Sequence, residues 1–191
     1  MSHIQELIRK NRSYRRFYEE VSISRETLLE LIDLARLSPS ARNAQTIKYI
    51  LCHTPERNAL VFPNLAWAGY LKDWTGPEPG ERPTAYIIML NDTRIFDNYF
   101  CDDGIAAQSI MLGAVEKGYG GCIIGSVERI KLQKALNIPA HFKIIQVLAL
   151  GKPKEEVVIE STVSGNIKYY RDSNQVHHVP KRPLDELILD L

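Results

Sequence analysis

Apolar positions recur with a helical period at the start of the chain. Between His3 and Asn11, the residues Ile4, Leu7 and Ile8 fall on one face, which predicts a first helix. A second helix is marked more fully: Ser24 is placed to cap it, Glu26 lies in its first turn, and Leu28, Leu31, Ile32 and Ala35 keep the period. Ser38, Pro39 and Ser40 stop it, because the residue before a proline is driven out of the helical region. Tyr49 to His53 reads as a strand, followed by a short helix with Thr54 as cap and Pro55 at its first position. Tyr86 to Leu90 is an apolar run with no alternation, the pattern of a buried strand. Asp103 to Lys117 has almost no polar face and many small residues. A helix of that kind belongs at the centre of a fold, where small side chains let another backbone approach. Gly118, Tyr119, Gly120 and Gly121 then turn the chain into a short strand at Cys122 to Ile124. Ser126 is placed to cap a helix through Leu136, with Pro139 beyond its end, and Ile144 to Leu150 is a further strand. Helices alternating with short strands predict a mixed sheet flanked by helices, in one domain over residues 1–191.

Two stretches break the pattern. Residues 62–83 are irregular and rich in Pro, Gly and aromatics, with Trp67, Tyr70 and Trp74 among them, which suits a binding loop or lid better than a spacer. After Gly151 periodicity is lost until Leu184 to Leu191, as in an arm that packs on its own surface or on a second copy.

Composition narrows the class of protein without naming a chemistry. The 191 residues are 45% apolar and 25% charged, ordinary values for a globular chain. With 24 Lys and Arg against 23 Asp and Glu, the net charge of +1 argues against a general nucleic-acid or membrane-surface partner, which needs a basic field. No apolar stretch approaches the roughly 20 residues that span a bilayer, and Met1 to Ser13 contains no apolar core of a signal peptide. Cys52, Cys101 and Cys122 are odd in number and widely spaced, which argues against a disulfide framework and a structural zinc site and points to a reducing compartment such as the cytoplasm.

Four groups of residues have chemical potential, each with a bland alternative beside it. Arg12, Ser13, Arg15 and Arg16 offer fork-shaped donors to a phosphate, or form a solvated basic turn. Ser38 to Gln45 carries neutral hydroxyl and amide groups that suit the edge of a planar heterocycle, or simply ends a helix in water. Gly118 to Ser126 lacks the spacing of a dinucleotide fingerprint, but offers backbone N–H groups near Gly125 and Ser126, or is a tight turn. Lys181 and Arg182 could close a phosphate site from a distant part of the chain, or form a solvated basic turn. Their neighbours His177 and His178, if on a strand, point to opposite faces and share no metal. Asp102 and Asp103 read as caps of the apolar helix rather than as metal ligands. No nucleophile elbow and no paired catalytic cysteine are present.

The order of these motifs is more informative than any one of them. Arg12, Ser13, Arg15 and Phe17 come first; Ser38, Pro39, Ser40, Asn43 and Gln45 follow. Asp102, Gly104, Ala106, Ala107 and Gln108 then open an apolar helix, before Gly118, Gly120, Cys122, Ile124 and Gly125. Leu150, Gly151 and Pro153, then Lys181, Arg182 and Leu184, complete the series. Together they resemble the FMN-dependent nitroreductase family over essentially the whole chain. The resemblance implies an α+β fold, assembled as an intertwined homodimer with FMN in the interface, the apolar helix at that interface and Val158 to Val179 as an arm embracing the partner. It implies that Arg12, Ser13 and Arg15 hold the ribityl phosphate and pyrimidine edge, and that Lys181 and Arg182 complete the phosphate site. Pro39, Ser40, Ala41 and Asn43 would reach the ring from the other subunit, while Ile124, Gly125 and Ser126 lie where a backbone N–H faces flavin N5. Asn11 stands where the family often has a basic residue, and Gln45, Thr46 and Ile47 where it often reads Gln-Pro-Trp. No catalytic side chain is implied, because the flavin performs the redox step with NADH or NADPH as donor. Trp67, Tyr70 and Trp74 are expected to line or gate the channel of a nitroaromatic, quinone or similar planar acceptor. The alternatives are a flavoenzyme of the same fold that dehalogenates, dehydrogenates or consumes flavin, and a non-catalytic flavin-binding or sensing protein.

Overall fold

The computed structural model describes residues 1–190, so the last predicted element, at Leu184 to Leu191, ends outside the described residues; its first part is a short 3-10 helix at Leu184–Leu187. Helix α1 (His3–Lys10) is closed by a capping box between Ser2 and Gln5 and buries none of its residues, leaving Ile4 and Ile8 exposed. Helix α2 (Arg25–Leu37) starts where expected: the Ser24 hydroxyl accepts the N–H of Thr27 at 3.1 Å. Its buried stripe is Leu28, Leu31 and Ala35. Helix α3 (Pro55–Val61) begins at Thr54 and Pro55, also as the caps predict.

Five strands form the central sheet: β1 (Phe17–Tyr18), β2 (Ile47–Cys52), β3 (Ala85–Asp92), β4 (Gly120–Ile124) and β5 (Phe142–Pro153). β5 lies between β3 and β4, β2 flanks β3, and β1 pairs with the far end of β5. These ladders are antiparallel, and parallel pairing enters at one edge through the bridge between Ser13 and Gly121. All eight residues of β3 are buried, which is why its sequence does not alternate. Ala85, Ile87 and Met89 pack on one side with Leu28 and Leu31 of α2, and Tyr86, Ile88 and Leu90 pack on the other with Val61, Trp67 and Leu132.

The apolar segment is helix α4 (Asp102–Glu116), and it is central as expected: Ala106, Ala107, Ile110, Met111 and Ala114 are buried against the sheet and α2. Gly113 marks the closest approach, since a Cβ there would lie 2.3 Å from Leu34 Cδ1 and 3.0 Å from Leu31 Cδ2. Two expected caps are corrected. Helix α5 (Arg129–Ala135) begins after Glu128, so Ser126 does not cap it; the Ser126 carbonyl instead accepts the N–H of Ala66 at 3.0 Å. The carboxylate of Asp102 does not cap α4, because it is drawn to Ser40 and Ala41.

The segment after Gly151 that lacks a period is not irregular. It contains β6 (Val157–Ser161), β7 (Tyr170–Arg171) and β8 (His177–Lys181), a small sheet in which β8 pairs parallel with β6 and antiparallel with β7. A two-residue strand and a strand containing Pro180 are too short and too polar to signal themselves. Among the described residues no helix is long and apolar enough to cross a membrane.

Candidate functional site

The chain leaving α1 runs along the free edge of β4. Tyr14 donates its N–H to the carbonyl of Gly121 at 2.9 Å, and Ser13 bridges Gly121. Gly121 is obligatory there: a Cβ would stand 2.3 Å from the backbone oxygen of Ala149, which cannot move aside. This pairing places Arg12, Ser13 and Arg15 along a cleft of about 290 Å³, closed on its far side by Tyr169, His177 and Lys181 of the C-terminal segment. Thus residues separated by most of the sequence line one basic cavity. A smaller cleft of about 120 Å³ adjoins it, sharing Arg15 and Ile123, with Trp67, Ile124, Gly125 and Ser126 in its walls. Gly125 is open, and a Cβ there would meet nothing within 4 Å.

Arg15 is the most unusual group in this cavity. It is only 8% exposed, yet among the described residues no carboxylate pairs with its guanidinium. Its Nη1 donates to the carbonyl of Ser13 at 3.1 Å and stands 3.5 Å from His177 Nε2, and the guanidinium lies 5.0 Å from the centre of the Tyr169 ring. Arg12 is half-buried, its basicity lowered by desolvation, with Nη2 donating to the carbonyl of Ile8 at 2.7 Å and Nε buried without a partner. Arg16 points elsewhere: it grips Glu81 through two bonds of 2.7 and 2.9 Å, and Lys154 joins at 3.0 Å. Those cations hold the Glu81 carboxyl down at about 2.

His177 and His178 face opposite sides of β8, as adjacent strand residues must, and titrate in opposite directions. Burial first, then the charges of Arg15, Arg171 and His178, push His177 down to about 4. His178 is raised by its bonds to Asp172 at 3.3 Å and Glu160 at 3.1 Å. For a base whose folded value is depressed, the folded state binds fewer protons than the unfolded one. The stability His177 contributes is therefore complete above the ordinary value of 6.5 and lost as pH falls towards about 4. His177→Gln should remove this component, which amounts to at most about 3 kcal/mol. Urea melts of both proteins between those pH values check it; equal slopes would refute the assignment.

The other expected residues are distributed as follows. Lys181 lines the cleft, whereas Arg182 turns outward and pairs with Glu186 at 2.9 Å, so within one chain the two do not converge. Pro39 and Ser40 line a separate pocket of about 220 Å³ with Asp102, away from Arg15. Ser40 donates to Asp102 Oδ2 at 2.6 Å and the N–H of Ala41 to Oδ1 at 2.9 Å, while Asn43 lies on the same loop with its carbonyl and amide oxygens near Gln45 Nε2. Trp67 is buried beside Ile124. Tyr70 is exposed and packs on Tyr169 with ring centres 4.9 Å apart, and Trp74 lies under Arg171. Asn11, at the position where the family often has a basic residue, lines the cleft and donates to Gln108 at 3.3 Å. Tyr169, Glu155 and Arg171 were not anticipated. They carry no motif, and only folding brings them to Arg15.

Fold and cavity together define a helix-flanked α+β protein with a basic cleft at a sheet edge. The chain belongs to the nitroreductase family: the model of that family matches residues 8–152. It is 25% identical over 182 residues to YodC of Bacillus subtilis strain 168, assigned provisionally as an NAD(P)H nitroreductase, covering 80% of this chain and 90% of that protein. Its fold is similar to that of a nitroreductase family protein of Clostridium novyi, with TM-score 0.66, 24% identity, and 80% and 88% of the two chains covered. A further fold relative, from Exiguobacterium sibiricum, was solved in complex with FMN; it aligns with TM-score 0.66 at 19% identity over 81% of this chain and 90% of its own.

Proposed function

We propose that this protein is an FMN-dependent oxidoreductase that takes hydride from NADH or NADPH and reduces a nitroaromatic, quinone or similar planar acceptor by a ping-pong mechanism. The observation that carries the reading is Arg15: a buried cation whose guanidinium has no carboxylate partner, in one cavity with Arg12, Ser13 and Lys181, makes the cavity complementary to an anionic ligand rich in hydrogen-bond acceptors. FMN is such a ligand, and it is named in the relative from Exiguobacterium sibiricum. When bound, FMN supplies the ring that accepts hydride and passes electrons on.

The chain's own residues then have the following roles. Arg12, Ser13 and Lys181 bind the phosphate as charged and hydroxyl donors, with Arg182 free to join only by leaving Glu186. Arg15 would donate to the pyrimidine edge of the bound flavin, and its positive charge would favour an anionic reduced form. Ile124, open Gly125 and Ser126 offer backbone beside the ring, and buried Trp67 excludes water from the same cleft. Pro39, Ser40, Ala41 and Asn43 reach the ring of a second copy in a homodimer. Exposed Ile4 and Ile8 of α1 and Leu34 and Leu37 of α2 fit such an interface, since they are apolar and uncovered in one chain. The free thiols of Cys52, Cys101 and Cys122 fit the cytoplasm.

The test is direct. The purified protein should be yellow, its flavin band should bleach under anaerobic NADH or NADPH, and it should recover on adding a nitroaromatic or quinone. A protein that takes up no FMN would overturn the reading. One that binds FMN but is bleached by neither nucleotide would be a flavin-binding protein or an enzyme of another reaction.

A further inference from the structure

Glu155 joins two parts of the molecule that the sequence keeps apart. Its side chain is 0% exposed. One oxygen accepts the backbone N–H of Arg15, a residue 140 positions away, and the other accepts from the Arg171 guanidinium at 2.9 Å. Arg171 is itself only 9% exposed, and its guanidinium lies 4.2 Å from the centre of the Trp74 ring. Trp74 in turn meets Trp67 edge-on at 6.5 Å, and Trp67 walls the smaller cleft, which Arg15 also lines. A carboxylate suits this junction because both oxygens only accept and each can hold a charge-assisted or backbone bond in its own direction.

We infer that Glu155 is a positioning residue: one oxygen sets the backbone that carries Arg15, and the other, through Arg171, sets the aromatic loop that carries Trp67 and Trp74. The two walls of the cleft, one for the cofactor and one for the acceptor, are thereby held in register by a single buried group. The assignment of those walls rests on the proposed flavin function; the link between Glu155 and the tryptophans does not.

Trp67 and Trp74 are the only tryptophans in the chain, so intrinsic emission reports on this loop alone. The apo-protein is compared with two variants, Glu155→Gln and Glu155→Leu combined with Arg171→Met, by tryptophan emission, FMN titration and thermal melting. In Glu155→Gln the amide oxygen still accepts from Arg15, while its NH2 faces Arg171 and leaves it unpaired. The double variant removes both charges together, so neither member of the pair is left behind as a lone buried ion, and the thermal melt reports that the variant is folded. Emission should shift to the red in both variants. The FMN Kd should stay within about threefold of wild type in Glu155→Gln but rise about tenfold or more in the double variant, which lacks the Arg15 anchor. A double variant with wild-type emission and wild-type FMN affinity would overturn the inference, because the pair would then only fill space. If the wild-type protein takes up no FMN, the flavin reading fails separately. Emission then decides: a red shift in both variants supports the link to the loop, and unchanged spectra overturn it.

Discussion

Arg15→Met is expected to weaken FMN binding by about 10- to 150-fold, the loss of a hydrogen-bonded interaction with a charged group, while leaving the apo-protein as stable as before or more so. The two effects have one cause. Arg15 is 8% exposed and its guanidinium meets a carbonyl, an imidazole, an aromatic ring and the Cys122 thiol, none of them a carboxylate, so in the empty protein its desolvation is not offset by a paired charge. Removing it leaves Glu155 and Arg171 as a balanced pair, and methionine keeps the apolar contact with Tyr169. Flavin titration and apo-protein melts measure both sides. A variant that binds FMN as wild type, or one whose apo form is markedly destabilised, would show that Arg15 serves the fold rather than the ligand.

Asp102→Ala should cost about 3 kcal/mol of stability, the loss of two bonds to a buried charged acceptor. Asp102 is 5% exposed, and its two oxygens hold Ser40 and Ala41. The loop they anchor is strained: Arg42, Asn43 and Gln45 have φ of 54°, 53° and 51°, a left-handed conformation that costs side-chain-bearing residues about 1–2 kcal/mol each. Ser40, fixed by Asp102, in turn accepts the N–H of Gln45 at 3.0 Å. Without the carboxylate the strain is opposed only by the loop's own bonds, such as Asn43 N–H to the Ser40 carbonyl at 2.9 Å, and residues 40–46 should lose hydrogen-exchange protection. Because that loop is the one proposed to reach the ring in a second subunit, FMN affinity should fall as well. Urea denaturation gives the first number; a loss below about 1 kcal/mol would mean the loop holds itself, since that is the worth of one ordinary hydrogen bond.

These two residues were legible to different degrees. Arg15 stands in a recognisable motif, because a phosphate site draws on arginine and serine closely spaced along the chain. Asp102 has the local signature of a helix cap, an acidic pair before an apolar helix. Its real partners, Ser40 and Ala41, lie about sixty positions earlier on another element. Ser126 has the same local look, a serine ahead of a helical period, but the helix starts only after Glu128, and Ser126 instead ties its carbonyl to the N–H of Ala66. Glu155 carried no signal at all, being one of many acidic residues in a segment without periodicity.

Local pattern was enough for the capped helices α2 and α3, the doubly buried strand β3 and the central apolar helix α4. It was also enough for the ordered series of motifs that places the chain in its family. Each of these depends on neighbours within a few residues or on spacing along one element, where propensity, capping and hydrophobic period act. Tertiary structure alone decided that Arg15 is buried without a counterion, that Arg182 turns away while Lys181 faces the cleft, and that the stretch after Gly151 is a sheet carrying Tyr169, Arg171 and His177 back to the N-terminal motif. Such outcomes depend on which groups remain to satisfy one another once the core has excluded water, and no local pattern encodes that.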